Sequence, residues 1–211
     1  MLISIEGIDG AGKNTVTQRL RREVDCPVEV LGFPRYEDSV HAQLAQEALY
    51  GRMGDLTDSA YGMATLFALD RLGAKQQLEE AAASKDSLLI LDRYVASNAA
   101  YSAARVGEES VVDWVYDLEF GRFGLPVPQL QIFLDTDVEE AGRRAVSRAA
   151  ENENRTRDRY ERDAGLQART AAAYRRLAAQ QWAGQWIATA DADMIIQSVK
   201  DLLAGSLQVN N

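Results

Sequence analysis

Residues 7–13 read Gly-Ile-Asp-Gly-Ala-Gly-Lys, a match to G-x-x-x-x-G-K directly after a short apolar run. This spacing serves the gripping of phosphate. Glycines let the backbone curl until successive N–H groups converge on phosphate oxygens. A helix that follows adds partial positive charge at its N-terminus. Lys13 then reaches the β- and γ-phosphates of a nucleoside triphosphate. Gly7, Asp9, Gly10, Ala11, Gly12, Lys13, Asn14 and Thr15 are therefore the expected triphosphate cradle. Position 14 departs from the pattern. The hydroxyl that helps hold Mg²⁺ is replaced there by the amide of Asn14, with Thr15 next. An amide oxygen can also ligate Mg²⁺.

Phosphoryl transfer asks for positioning, Mg²⁺ and cations around the moving group, with little covalent help. Four further clusters supply candidates. Phe33-Pro34-Arg35-Tyr36 follows a second apolar run. Phe67 and Arg71 are four apart and share one helical face, so one can stack on a base while the other bonds its edge. Asp92-Arg93-Tyr94 ends a buried-looking run and precedes Ser97, Asn98 and Tyr101. An acid there can organise Mg²⁺ water, and the adjacent arginine can bridge two phosphates. The polar stretch 151–159 lacks hydrophobic periodicity, and with Arg148 it carries Arg155, Arg157 and Arg159. Arginines on such a lid can close over the transferring group and exclude water.

The elements that must hold these clusters alternate. Strands are expected at 2–6, 28–32, 87–92, 130–134 and 186–189. Helices are expected after the glycine loop and at 40–50, 58–83, 95–105, 110–121, from about 137, at 160–181 and at 193–205. Alternation of this kind predicts an α/β fold, a parallel doubly wound sheet in three layers. Right-handed crossovers put ligands at the C-terminal ends of the strands, where the glycine loop and Asp92 fall. No repeat or linker divides the chain, so 1–211 reads as a single domain with a lid at 146–158.

The formal charge is −9, which disfavours nucleic-acid partners, because those need basic surfaces. Phosphorylated substrates must then be met by local clusters of cations. Cys26 is the lone cysteine, read as a structural thiol. His41, the lone histidine, reads as a surface or helix-start residue, which argues against histidine catalysis. No signal peptide and no apolar run near the ~20 residues of a membrane span is visible, so the expected location is cytoplasmic, with no membrane partner.

Taken together, EGIDGAGKNT, FPRY, ATLFALDR, LDRYVASNAAYSAAR and DRYERD resemble the thymidylate kinase family of P-loop nucleoside monophosphate kinases, in its actinobacterial type. The likeness runs over nearly the whole chain. It implies a five-stranded parallel sheet, a C-terminal lid, a homodimer packed through helices, and transfer from MgATP to dTMP giving ADP and dTDP. It implies that Phe67 stacks on thymine, that Arg71 bonds its edge and that Asn98 also contacts the base. Tyr101 would crowd the sugar 2′ position. Tyr36 and Arg93 would bind the acceptor phosphate, with Phe33 and Ser97 in the same pocket and Tyr160 closing it. Asp9 would lie near that phosphate and Mg²⁺, with Glu161, Asp158 and Asp92 as the other acids at the metal. Some members of the family carry an arginine inside the P-loop. Here Ile8-Asp9-Gly10-Ala11 has none, which assigns the catalytic arginines to the lid, at Arg148 and Arg155, with Arg157 open. The alternatives are another deoxynucleotide or nucleoside kinase, or a non-catalytic protein that senses ATP.

Overall fold

Leu2–Glu6 (β1) is buried at every residue, as a parallel strand covered on both faces requires. The other strands are Val28–Gly32 (β2), Leu88–Asp92 (β3), Leu130–Phe133 (β4) and Trp186–Ala188 (β5). They form one parallel sheet in the order β2-β3-β1-β4-β5. The computed structural model describes residues 1–151 and 158–205, with no side chains described at 148–151. The α/β sheet expected from the alternation is the one observed. Its register matters for the site. Ile5 lies opposite Asp92, so the chain leaving β1 runs beside the chain leaving β3.

The helices are Lys13–Glu23 (α1), Val40–Leu49 (α2), Ala60–Leu72 (α3), Lys75–Ala83 (α4), Val95–Val106 (α5), Ser110–Tyr116 (α6), Val138–Glu151 (α7), Arg159–Arg162 (α8), Ala164–Ala179 (α9) and Ala192–Leu203 (α10). Alternate strand residues feed opposite layers. Ile3, Ile5, Ile90 and Ile132 pack with Val16 and Leu20 of α1 and Ile195 and Val199 of α10. Leu2, Leu89, Leu91 and Phe133 pack with Val95 and Ala99 of α5, Val115 of α6 and Tyr174 and Leu177 of α9. Ala45, Ala48 and Leu49 of α2 join Met63 of α3 in a smaller cluster. Cys26 is half-buried against the first of these layers, and His41 is exposed on α2. No helix among the described residues is long and apolar enough to cross a membrane.

Three expected helices are broken. The segment 58–83 starts on the last residue of a 3-10 turn, Leu56–Asp58, and then divides into α3 and α4. The break after Leu72 has a cause. Arg35 Nη2 donates to the Asp70 carbonyl at 2.5 Å, and the Ala74 N–H turns to Arg71 O instead, at 2.9 Å. The segment 110–121 leaves α6 for a π-helical stretch, Asp117–Arg122. The segment 160–181 divides at Asp163, whose Oδ1 accepts the Leu166 N–H at 2.8 Å and starts α9 afresh.

Glu6 ends β1 with no exposed surface. Its Oε1 accepts the Tyr94 N–H at 2.9 Å, and its Oε2 accepts from Ser97 Oγ at 2.7 Å and Tyr174 OH at 3.1 Å. Strand, α5 and α9 are thus tied at one carboxyl. Burial pushes its pKa up, while the Ser97 hydroxyl, Arg93 and Tyr174 oppose that shift. Removing the carboxyl strands these buried donors, each costing about 1–3 kcal/mol. Glu6→Ala is expected to lose about 3 kcal/mol in urea unfolding. A loss below about 1 kcal/mol would show that the knot is not structural.

Candidate active site

The glycine loop takes backbone angles that side chains resist. Gly10 and Gly12 have φ of 85° and 101°. A Cβ on Gly10 would lie 1.9 Å from the Ala141 carbonyl oxygen, so the loop is keyed against α7. Thr136 Oγ1 holds it from below by donating to Ala11 O at 2.9 Å. Gly12 caps α1 with no side-chain hydrogen bond, which leaves the helix's first N–H groups to an anion. Asn14 and Thr15 stand exposed on the first turn of α1. Lys13 Nζ donates to Gly7 O and Ile8 O, both at 3.2 Å. Burial lowers its pKa to about 8, the nearby Arg93 charge adds to this, and Asp9, Asp92 and Glu6 oppose it.

Beside the loop, between α3, α5 and α8, lies a cavity of about 240 Å³. Every residue expected on the acceptor side lines it: Asp9, Phe33, Tyr36, Phe67, Arg71, Arg93, Ser97, Asn98, Tyr101 and Tyr160. Asp158 and Glu161 complete one wall, and Arg105 lies against the Tyr160 ring at 5.1 Å. Tyr101 and Tyr160 stack with centroids 6.1 Å apart. Burial raises the pKa of the Tyr36 and Tyr101 hydroxyls. Ser97 lines the cavity, but its hydroxyl is spent on Glu6 and on Tyr174 OH, 2.6 Å away.

Two groups that sequence reasoning missed organise this cavity. Gln167 of α9 brackets Asp9. Its Nε2 donates to Asp9 Oδ2 at 3.2 Å and to Tyr160 O at 2.9 Å, and its Oε1 accepts the Asp9 N–H at 3.3 Å. Glu119 is fully buried and pairs with Arg71 through Nε–Oε2 at 2.5 Å and Nη2–Oε1 at 2.7 Å. No local pattern marks either residue, because their partners lie far away in the chain.

The acids assigned to a metal are not one cluster. Among the described residues no group of three or more His, Cys, Asp or Glu is placed to hold an ion. Asp158 acts first as the N-cap of α8, with Oδ1 accepting Tyr160 N–H at 2.8 Å and Glu161 N–H at 2.9 Å. Burial raises its carboxyl to about 6, and the charges of Glu161 and Asp9 add to that shift. Asp92 lies outside the cavity lining, yet its Oδ1 is buried with no hydrogen-bond partner. Mg²⁺ at phosphate sites is held by one or two carboxylates plus the phosphates themselves, and Asp92 and Asp9 suit that role. Of the lid residues, Arg148 lies on α7, while Arg155 and Arg157 lie outside the described residues. Arg159 pairs with Asp58 at 2.8 Å on the surface.

Comparisons with known proteins bear on the family and the fold. The family description "Thymidylate kinase" matches residues 5–202. A thymidylate kinase of Mycobacterium tuberculosis (strain ATCC 25618 / H37Rv) is 52% identical over 200 residues, 92% of this chain and 93% of its own length. One from Chlorobaculum tepidum is 34% identical over 148 residues, 70% of this chain and 67% of its own. The solved thymidylate kinase of Candida albicans shares the fold with a TM-score of 0.68 at 22% identity, covering 97% of this chain and 91% of that one.

The junction between loop and cavity is an ion pair. Arg93 Nη2 donates to Asp9 Oδ1 at 2.6 Å, and Tyr101 OH to Asp9 Oδ2 at 3.2 Å. Arg93 holds this pose from a left-handed backbone, φ 68°, uncommon for any residue but glycine. Burial alone would raise the Asp9 carboxyl, but Arg93 and then Lys13 outweigh it and bring the pKa down to about 2. A lowered carboxyl contributes stability that is present above its ordinary value of 3.8 and lost as the pH falls through about 2. In Arg93→Met the burial effect should win, so that Asp9 titrates above 3.8 in carboxyl ¹³C NMR. A titration still near 2 would mean that Lys13 alone suffices.

Proposed function

The chain belongs to the thymidylate kinase family, in its actinobacterial type, and from that membership we propose that residues 7–15 hold ATP while the adjoining cavity holds dTMP. The observation that carries this reading is the Asp9–Arg93 pair. It joins a phosphate loop to a cavity equipped with an aromatic ring, an arginine and an amide. Phe67 stacks on thymine. Arg71, held by Glu119 through Nε and Nη2, turns Nη1 to the base O4. Asn98 offers its carbonyl oxygen to N3–H. Tyr101 occupies the space that a ribose 2′-hydroxyl needs. Arg93 and Tyr36 hold the acceptor phosphate.

An oxygen of that phosphate attacks the γ-phosphorus of ATP. The bond to the β,γ-bridging oxygen breaks, and its electron pair leaves with ADP. Asp9, kept ionised by Arg93 and Lys13, fixes the guanidinium between the two substrates. Mg²⁺, when bound near Asp9 and Asp92, neutralises charge on the triphosphate. Lys13 leaves its carbonyl partners for the β- and γ-phosphates. The lid over 146–158, with Arg148 and Arg155, surrounds the transferring group and keeps water out. A homodimer packed through helices accompanies the family resemblance, and the reading of 1–211 as one domain in the cytoplasm rests on the sequence.

Steady-state ADP release with dTMP, dUMP, UMP, CMP, AMP and thymidine tests the assignment. dTMP is expected to turn over fastest. Faster turnover on another acceptor overturns the substrate, and ATP binding with no turnover favours a sensor. Arg148→Ala and Arg155→Ala are each expected to lower kcat on the order of 10²-fold or more, with dTMP binding less affected. Unchanged kcat in both removes the lid from catalysis.

A further inference from the structure

We propose that Glu119 is a positioning residue that makes the cavity select a 4-oxo over a 4-amino pyrimidine. The inference rests on the reading of the cavity as the dTMP site. Asn98 Nδ2 donates to Ala64 O at 3.0 Å and to Glu119 Oε1 at 2.7 Å. Both hydrogens of the amide are therefore directed at acceptors. Turning the amide over would set its oxygen against a carboxylate and a carbonyl. The orientation is thus imposed, and Oδ1 is the edge that a ligand meets. The same carboxylate takes Nε and Nη2 of Arg71, at 2.5 and 2.7 Å, and leaves Nη1 with no hydrogen-bond partner among the described residues.

One buried carboxylate thereby fixes a donor and an acceptor side by side. Thymine matches this pair with O4 as acceptor and N3–H as donor. Cytosine presents the reverse, an amino donor at C4 and an acceptor at N3, so both contacts become unfavourable. A site whose buried polar groups are left unpaired by the wrong substrate discriminates far better than a site that only fits shape. Glu119 touches neither base. It acts through Asn98 and Arg71 from a π-helical stretch, where the Phe123 N–H reaches back five residues to Leu118 O at 2.9 Å. Widened turns of this kind are frequent at functional sites. Without the charge of Glu119, a glutamine at 119 can donate to Asn98 Oδ1, so that only the Ala64 carbonyl still opposes turning the NH₂ toward the base.

Wild type, Glu119→Gln, Asn98→Ala and the double variant are compared by kcat/KM on dTMP and dCMP, with ATP KM and Tm beside them. Wild type should prefer dTMP by about 10²-fold or more. Glu119→Gln should cut that preference about tenfold or more and raise the dTMP KM more than it lowers kcat, with ATP KM little changed. Asn98→Ala should lose preference to a similar degree, and the double variant should lose little beyond that, because the two residues act as one device. A preference unchanged in Glu119→Gln, even with a lower Tm, overturns the proposal and leaves a structural role. So does full additivity in the double variant. Should Glu119→Gln not fold, the wild-type protein decides through its Asn98 side-chain NH₂ resonances. They are expected to be slow to exchange and little moved by dTMP. Large movement on binding overturns the orientation argument. A wild type with no preference for dTMP sinks the substrate reading, and the inference with it.

Discussion

The ion pair between Arg93 and Asp9 sets the spacing of the whole site. Its 2.6 Å contact joins the chain leaving β1 to the chain leaving β3. Parallel register brings those two ends together, with Ile5 opposite Asp92 and the Arg93 N–H bonded to Ile5 O at 3.0 Å. A largely desolvated ion pair is weak support for stability, because desolvation offsets most of the attraction. What it supplies is geometry. The guanidinium cannot drift, because Asp9 is itself fixed by Tyr101 and Gln167. The two binding regions inherit a common reference point.

Charge at this junction is arranged against the background of the molecule. The chain carries −9, yet Lys13 and Arg93 lie close enough that Arg93 helps lower the lysine toward about 8. Asp9, Asp92 and Glu6 oppose that shift without cancelling it. A triphosphate placed there would add negative charge beside Lys13. Opposite them, Asp158, with its carboxyl raised to about 6, faces the same cavity beside Glu161. Arg93 at the loop end and Asp158 with Glu161 beside α8 thus place opposite charges in one cavity.

Local pattern revealed the strands, the glycine loop and the clusters around Phe33, Phe67 and Arg93, because each of these depends on near neighbours in sequence, while the roles of Asn98, Tyr101 and Tyr160 came from the family resemblance. Apolar runs mark strands buried on both faces. The spacing of Phe67 and Arg71 places them on one helical face. Long-range contacts left no such mark. The end of α3 depends on Arg35 taking the Asp70 carbonyl from 35 residues away. Glu119 sits at the end of the expected helix 110–121 with nothing local to mark it, and its partner Arg71 is 48 residues distant. Gln167 meets Asp9 across 158 residues. The start of α9 could have been read, since Asp163 stands three before Leu166 as an N-cap does, but the surrounding polar stretch hid it. Those two buried groups hold Arg71, Asn98 and Asp9 by direct hydrogen bonds.

Gly10 has a steric consequence. Its φ of 85° and the Ala141 carbonyl, 1.9 Å from where a Cβ would stand, leave no place for any side chain. An arginine at position 10 and an α7 packed this closely exclude one another. One substitution at position 10 therefore cannot place an arginine in the loop while α7 keeps this seat. The helix must withdraw first, and a withdrawn helix carries Arg148 with it. The close seat of α7 on the glycine loop therefore depends on the absence of one methyl group at position 10.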